Sequence, residues 1–236
     1  MKLWQHKYDW CDNQDWYLPD GEEMMKAQLS TALDEQVDAV IATIRKQHPD
    51  IMLRTAIQAG GAFGLYPLAI ARHFAKVYTF EPLKANLECL SKNFSQAPEL
   101  AQKCVIVPSP LWESAEKKMR MTYPKDDLNS YGAHCVSSKA YTGEIVYTST
   151  IDEYYRDDID LIWLDVEGAE LRALRGGCRT ISMNRPAIAV ENRDLKQMRE
   201  YGTRVGDAVK WVCNAWSYRV VGQTHADTIM VPSEWK

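Results

Sequence analysis

The apolar positions of this chain change their period near residue 50. Before it, Leu29, Leu33, Val37, Val40, Ile41 and Ile44 recur at mostly three- and four-residue intervals. That spacing predicts a helix from about Gly21, ended by His48-Pro49. After it, short apolar runs alternate with helical stretches. "TAIQA" reads as a strand, Gly60 to Gly64 as a turn, and "LYPLAIARHFA" as a helix. Pro67 sits in the first turn of that helix, where a missing N–H does no harm. The strand "KVYTF", the helix "LKANLECLSKNF" and the strand "CVIVPS" repeat the unit. A polar stretch from Pro110 to Thr150 follows, with one predicted strand, "EIVYTS". Then come a short helix "TIDEYYRD" capped by Thr150, the strand "IDLIWLDV", and the helix "AELRALRGG" stopped by its glycines. The strand "PAIAVEN", a helix from Gly206 to Trp216, and two successive strands, "SYRVVGQ" and "DTIMVPS", close the chain.

Strands alternating with helices predict right-handed βαβ units and a mainly parallel sheet covered on both faces, an α/β fold. The last two strands lack an intervening helix, so the sheet should finish in an antiparallel hairpin. At 236 residues the chain fits one large domain with an N-terminal extension. We divide it into an aromatic arm and helix over residues 1–50, expected to cap the active site, and a catalytic domain over residues 51–236. Within the arm, Trp4, Trp10 and Trp16 are spaced by six, which fits neither helix nor strand. The arm is therefore expected to be irregular, with aromatic anchors that either stack over the pocket or pack on the sheet.

Composition narrows the partners. A net charge of −4 gives no electrostatic reason for a nucleic-acid partner, and "EKKMR" is too short and mixed to be a binding stripe, so it reads as a solvated face or loop. The six cysteines lie far apart with no C-x-x-C pair, which points to reduced thiols and a cytoplasmic setting. No stretch approaches the length of a membrane span, so no membrane partner is expected.

In an open α/β sheet, ligands sit outside the carboxyl ends of strands, where the strand order switches. The first of these ends delivers Gln58-Ala59-Gly60-Gly61-Ala62-Phe63-Gly64, glycines that allow a sharp turn and close backbone approach. The next strand ends at Glu81, where a carboxylate can accept bonds from both hydroxyls of a ribose. "DVEGAE" places Asp165, Glu167 and Glu170 together at a third end. Glu167 and Glu170 fall near a helix N-terminus, which favours negative charge, whereas Asp165 directly follows "LIWL" and should face the crevice. Glu191 and Asn192 end the next strand. With Asp165 they would offer oxygen ligands to a hard cation such as Mg²⁺, or equally hold the hydroxyls of a substrate.

Three stretches together, "AIQAGGAFGLYPLAIA", "VYTFEPLKANLECLSKN" and "IDLIWLDVEGAELRALRGG", followed by "RPAIAVEN", resemble successive motifs of the FkbM-type methyltransferases. The resemblance runs from about Thr55 to Asn192. It implies the Rossmann-like class I fold, a seven-stranded sheet with an antiparallel final strand, and S-adenosylmethionine as cofactor. It further implies O-methylation of a hydroxyl on a sugar or other small molecule. On this resemblance Gly60, Gly61, Ala62 and Gly64 line the methionine and ribose side, and Glu81 holds the ribose hydroxyls. Pro82 and Leu83 lie beside the adenine, Ser109 to Trp112 approach its edge, and Asp165 faces the methionine end or the acceptor. Two positions depart from the family. Its turn is usually Asp-x-Gly-Ala-Asn-x-Gly, with an acid where this chain has Gln58, and it commonly has Lys where this chain has Trp163. Gln58 keeps an acceptor oxygen but removes a charge, which implies weaker binding of the methionine ammonium.

Methyl transfer to a hydroxyl also needs a proton acceptor. Asp165 is the first candidate, directly or as a metal ligand, His225 the second and His134 the third. Competing readings are an N- or protein methyltransferase of the same fold, and a cofactor-binding protein without catalysis. "DVEGAE" lacks the N/D-P-P-Y/F string of nitrogen methylators. An NAD-dependent oxidoreductase is disfavoured because glycines at 60, 61 and 64 break the G-x-G-x-x-G spacing.

Overall fold

A computed structural model describes residues 1–12, 14–20, 33–122, 135–140, 142–195, 198–224 and 227–235. In chain order the elements are β1 (Lys2–Gln5), β2 (Asp15–Leu18), α1 (Leu33–Gln47), β3 (Thr55–Ala59), α2 (Leu65–Ala71), β4 (Lys76–Phe80), α3 (Lys84–Gln96), α4 (Pro98–Ala101) and β5 (Cys104–Val107). They continue with β6 (Lys118–Thr122), β7 (Cys135–Ser137), β8 (Glu144–Tyr147), a 3₁₀ turn (Ile151–Tyr154) and β9 (Ile159–Leu164). The chain ends with α5 (Glu170–Arg175), α6 (Cys178–Asn184), β10 (Ala187–Glu191), α7 (Met198–Tyr201), α8 (Asp207–Trp216), β11 (Tyr218–Thr224) and β12 (Asp227–Pro232).

Seven strands form the central sheet in the order β11-β12-β10-β9-β3-β4-β5. Strands β3, β4, β5, β9 and β10 pair in parallel, and β12 pairs antiparallel with both β10 and β11. The closing hairpin is thus present, with the final strand inserted inside the sheet. Order switches between β3 and β9, so their carboxyl ends flank a crevice.

Successive strand residues alternate between two apolar layers. Ala56, Leu161, Trp163, Ala187, Ala189, Ile229 and Val231 join α1, α2 and α3 on one face. Ile57, Ile162, Leu164, Ile188, Val190 and Met230 join α5, α6 and α8 on the other. Burial on both faces is why these strands read as nearly continuous apolar runs.

Two stretches differ from the sequence expectation. The arm is not irregular: β1 and β2 form an antiparallel pair, with Trp4 opposite Trp16. Trp16 is fully buried in the first layer and donates its indole N–H to His6 O at 2.8 Å. Between Pro110 and Thr150 the chain forms a second antiparallel sheet, in the order β7-β6-β8, and part of "EKKMR" belongs to β6. The alternation that hides it is short: Met119 and Met121 point inward while Lys118 and Arg120 do not. The described part of the first helix begins at Leu33, and the predicted turns from Gly21, with Leu29, lie outside the described residues. Thr150 does cap its short turn, its N–H bonded to Glu153 Oε2 at 2.7 Å.

The cysteines Cys11, Cys89, Cys104, Cys178 and Cys213 are unbonded. Among the described residues no helix is long and apolar enough to cross a membrane.

Asn93, fully buried on α3, fastens the arm. Its Oδ1 accepts from Tyr17 N–H at 2.7 Å, and its Nδ2 donates to Tyr17 O at 2.9 Å and Phe63 O at 2.7 Å. Asn93→Leu strands these backbone groups, and unmade buried bonds cost about 1–3 kcal/mol each. The variant should lose at least about 2 kcal/mol by urea denaturation and expose the arm to limited proteolysis.

Candidate active site

The crevice begins where β3 and β9 end side by side. Ala59 pairs with Leu164, and the Asp165 N–H donates to Ala59 O at 3.1 Å. Gly60 then turns with φ +89°, and a Cβ there would stand 2.1 Å from Asp165 O. Only glycine meets both demands. A Cβ on Gly61 would meet Thr79 Oγ1 at 2.6 Å. These two glycines are therefore required by the turn itself.

Gln58 is buried, and both ends of its amide are engaged. Nε2 donates to Gly60 O at 2.9 Å, and Oε1 accepts from Thr79 Oγ1 at 2.7 Å. The acceptor oxygen that the sequence suggested for a ligand is used on Thr79. A carboxylate in its place could not donate to Gly60 O.

Glu81 is buried at the end of β4. Oε2 accepts from Ala62 N–H at 2.8 Å and Oε1 from Leu83 N–H at 2.7 Å. Burial pushes its carboxyl up to about 7, opposed by those two N–H groups and by Asn86. Asn86 bonds the same carboxyl, so with both N–H groups it takes up most of the about four lone-pair sites, and the remainder suits a ribose hydroxyl.

A groove of about 460 Å³ adjoins this wall, between the ends of β4 and β5 and the strand β8. Pro82, Lys84, Ser109, Ile145 and Tyr147 are among its lining residues, and neither Glu81 nor Asp165 is. Ser109 Oγ donates to Tyr147 O at 2.6 Å, tying the groove floor to β8.

On the other side of the switch point, strand parity gathers acids. Asp165 follows Leu161 and Trp163 on the face toward α1, and Glu191 follows Ala187 and Ala189 on the same face. Val190 pairs with Leu164, so Asp165 and Glu191 come next in the same register. Asp165, Glu167 and Glu191 each bring an oxygen within 4.8 Å of the others. Asp165 is ringed by protein yet reaches solvent through the crevice, Glu167 is half-buried, and Glu191 is buried.

Asn192 does not join them. Its Oδ1 accepts from Gly206 N–H at 2.8 Å and its Nδ2 faces Thr228 Oγ1 at 3.3 Å, so it braces the start of α8. The third acid is Glu167, held at φ +54° in the turn after β9. Its neighbour Glu170 behaves as the helix-start reading expected, accepting from Val166 and Gly168 N–H at 3.1 and 3.2 Å. Asp227 is a further acid that strand-end reasoning missed, because β12 runs antiparallel and brings its first residue to this edge. It pairs with Glu191 across the sheet and accepts from Gln36 Nε2 at 2.5 Å, while Gln36 accepts from Tyr66 Oη at 2.5 Å. Trp163, at the position where the family carries Lys, also bonds Asp227. His134 and His225 lie outside the described residues.

Burial raises the carboxyls of Glu167 to about 8 and of Glu170 and Asp227 to about 7, and it raises Asp165 and Glu191 as well. Mutual repulsion adds to the rise at Glu167, Glu170, Glu191 and Asp227, and Arg193 opposes it at Asp165, Glu167, Glu191 and Asp227. Arg193 Nε bonds Glu191 Oε1 at 2.6 Å.

The chain matches the family model described as the methyltransferase FkbM domain over residues 60–220. It therefore belongs to the FkbM methyltransferase family. No curated protein matches it. Among solved structures, methyltransferase FkbM from Methylobacillus flagellatus is similar at TM-score 0.54 and 19% identity, covering 75% of this chain. This chain spans only 42% of that one. A Staphylococcus aureus protein assigned as a caffeoyl-CoA O-methyltransferase is similar at TM-score 0.51 and 11% identity, over 84% of this chain and 83% of that one. The magnesium protoporphyrin IX methyltransferase of Synechocystis, solved with S-adenosylhomocysteine, is similar at TM-score 0.50 and 10% identity, over 89% and 88%. The fold is that of the class I methyltransferases.

The raised acids set a pH dependence. Between the ordinary carboxylate range and about 8, the folded chain retains protons at Glu167, Glu170 and Asp227 that the unfolded chain has released. Stability then falls as pH rises through that window, and Glu191, raised to about 9, extends the fall above it. The melting temperature of the ligand-free protein should drop by several degrees from pH 5 to pH 8. Glu167→Gln should flatten that profile by raising the value at pH 8 more than at pH 5, read by circular dichroism.

Proposed function

We propose that this chain is an S-adenosylmethionine-dependent methyltransferase that acts on a hydroxyl oxygen of a small molecule, such as a sugar. The observation that carries the reading is Glu81. It is a buried carboxylate at the end of β4, fixed by two backbone N–H groups and Asn86, with acceptor capacity left for a ribose hydroxyl. Next to it lies the glycine turn of β3, and across the switch point lies Asp165. The family match and the Synechocystis structure with its bound product cofactor support the same cofactor.

In this reading Glu81 accepts from the ribose hydroxyls, and Gly60, Gly61, Ala62 and Gly64 let the backbone approach the amino-acid portion. Gln58 acts through the turn, by holding the Gly60 carbonyl. Pro82 and Ser109 flank the adenine beside the adjoining groove. S-adenosylmethionine supplies an electrophilic methyl group. The protein must align an acceptor oxygen with it, exclude water and take up the hydroxyl proton. Asp165 reaches the open crevice and is the carboxylate placed to receive that proton. Burial raises its affinity for protons, the direction that strengthens a carboxylate as a base. His225, two residues before Asp227, is the second candidate. The arm and first helix, residues 1–50, close the crevice over an acceptor in this reading.

Calorimetry tests the cofactor first. S-adenosylhomocysteine should bind the purified chain and NAD should not; no heat with the sulfur compound at millimolar concentration would sink the proposal. Glu81→Gln keeps the shape but removes half of the acceptor capacity. It should weaken S-adenosylhomocysteine by at least about tenfold, since bonds to a charged group are worth about 1.5–3 kcal/mol. For the acceptor, Asp165→Asn should lower kcat by roughly 10²-fold or more, the usual scale of general-base catalysis, with S-adenosylhomocysteine still bound.

A further inference from the structure

Three carboxylates converge where the described residues provide a single basic partner. Asp165, Glu167 and Glu191 come from the ends of β9 and β10 and the turn between β9 and α5, with one oxygen of each within 4.8 Å of the others. Among the described residues, Arg193 is the one basic side chain in ion-pair contact with any of them, through Glu191. Three negative charges against one positive leave two uncompensated when all three are ionised. The neighbouring acids do not share this need, because Glu170 has two backbone donors and Asp227 has Gln36.

A second observation points to what belongs there. Glu191 is 4% exposed; among the described residues its buried Oε2 accepts no N–H or hydroxyl bond, and its carboxyl lies against that of Asp165. Arg193 engages only the other oxygen. A buried acceptor without a donor is uncommon in folded proteins and calls for a missing ion or water. Here the group belongs to the acid cluster whose outer member, Asp165, is exposed.

We propose that Asp165, Glu167 and Glu191 bind one hard divalent cation. The chemistry matches on three counts. Carboxylate oxygens select Mg²⁺, Mn²⁺ and Ca²⁺ over softer metals. One divalent ion cancels the two uncompensated charges, which a single ammonium cannot. Three oxygens all within 4.8 Å of one another are close enough to share one ion, whose ligands stand at about 2.3–2.6 Å for Ca²⁺ and about 2.0–2.1 Å for Mg²⁺. Asn192, the oxygen ligand expected from the sequence, is replaced in this set by Glu167. The open side at Asp165 leaves positions for water or for an oxygen-bearing ligand. The inference does not rest on the methyltransferase reading, since it concerns metal alone.

The test titrates Mn²⁺ into the metal-stripped full chain and follows the free-ion signal by electron paramagnetic resonance. One Mn²⁺ per chain should be taken up at submillimolar concentration, and Ca²⁺ or Mg²⁺ should displace it. Glu191→Gln and Glu167→Gln keep the side-chain shape and remove a buried charge, so both should fold, which melting curves check. Each should weaken Mn²⁺ by at least tenfold, while Glu88→Gln, exposed on α3, should not. Absence of uptake at millimolar Mn²⁺, or unchanged uptake by both glutamine variants, overturns the proposal. Because no cofactor is present, either result leaves the S-adenosylhomocysteine titration independent.

Discussion

The crevice depends on how closely the ends of β3 and β9 approach. Gly60 lies against the Asp165 carbonyl with no room for a Cβ, and the Asp165 N–H closes the last bond between the strands on Ala59. Paired to their final residues, the two strands must send their chains away in opposite directions. One passes through the glycine turn into α2, whose apolar residues join the first layer. The other passes through Val166 to Ala169 into α5, where Ala173 and Leu174 join the second. The divergence opens a slot lined by backbone at one wall and by side chains at the other. A larger residue at position 60 would push the strands apart and carry the strain of φ +89° as well.

From that geometry the electrostatics follow. Because side chains alternate along strands, residues that end neighbouring parallel strands in register share a face. Asp165 and Glu191 are such residues, and the antiparallel β12 delivers Asp227 to the same edge. The fold thereby concentrates buried acids, which burial alone would keep protonated. It offsets part of this with Arg193, and part with the chain from Trp163 and Gln36 on Asp227 to Tyr66 on Gln36. Local rules of burial are broken at the end of the sheet where ligands enter, as functional sites commonly break them.

What could be read from the sequence follows the same physics. Strands buried on both faces announce themselves as apolar runs, and the order of helices and strands came through wherever those runs are long. Strands β1, β2, β6 and β7 did not, and of the second antiparallel sheet only β8 was read, from "EIVYTS". Each is three to five residues long, and only alternate positions of β6, Met119 and Met121, are apolar and buried. Asp165, Glu81 and Glu191 were visible because a carboxylate directly after an apolar run is costly to bury unless it binds or pairs with something. Glu167 was read as a helix-start charge, yet its positive φ turns it toward Asp165 instead. Asn192 was assigned to the site by its place after Glu191. One residue beyond the last paired position the chain is free to rotate, and its side chain reaches Gly206.

The two unusual residues of the turn show how a motif can vary while its shape is kept. Ala62 adopts φ +43°, where the family carries Asn, a residue that tolerates this conformation better. Its N–H is held by Glu81, so β4 supplies the restraint that the side chain does not. Gln58 replaces an acid but anchors the turn from the opposite end, through Gly60 O and Thr79. Both restraints act on the same five residues, and both originate on β3 or β4 rather than in any ligand. The backbone that would meet a cofactor is therefore held in place before one arrives, which lowers the ordering cost of binding. Glu81 has two roles in the proposed reading: the carboxylate that would meet the ribose is also the clamp on the turn. A change at Glu81 consequently alters the wall beside the ligand and the loop beneath it together, whereas a change at Gln58 reaches a ligand only through the loop.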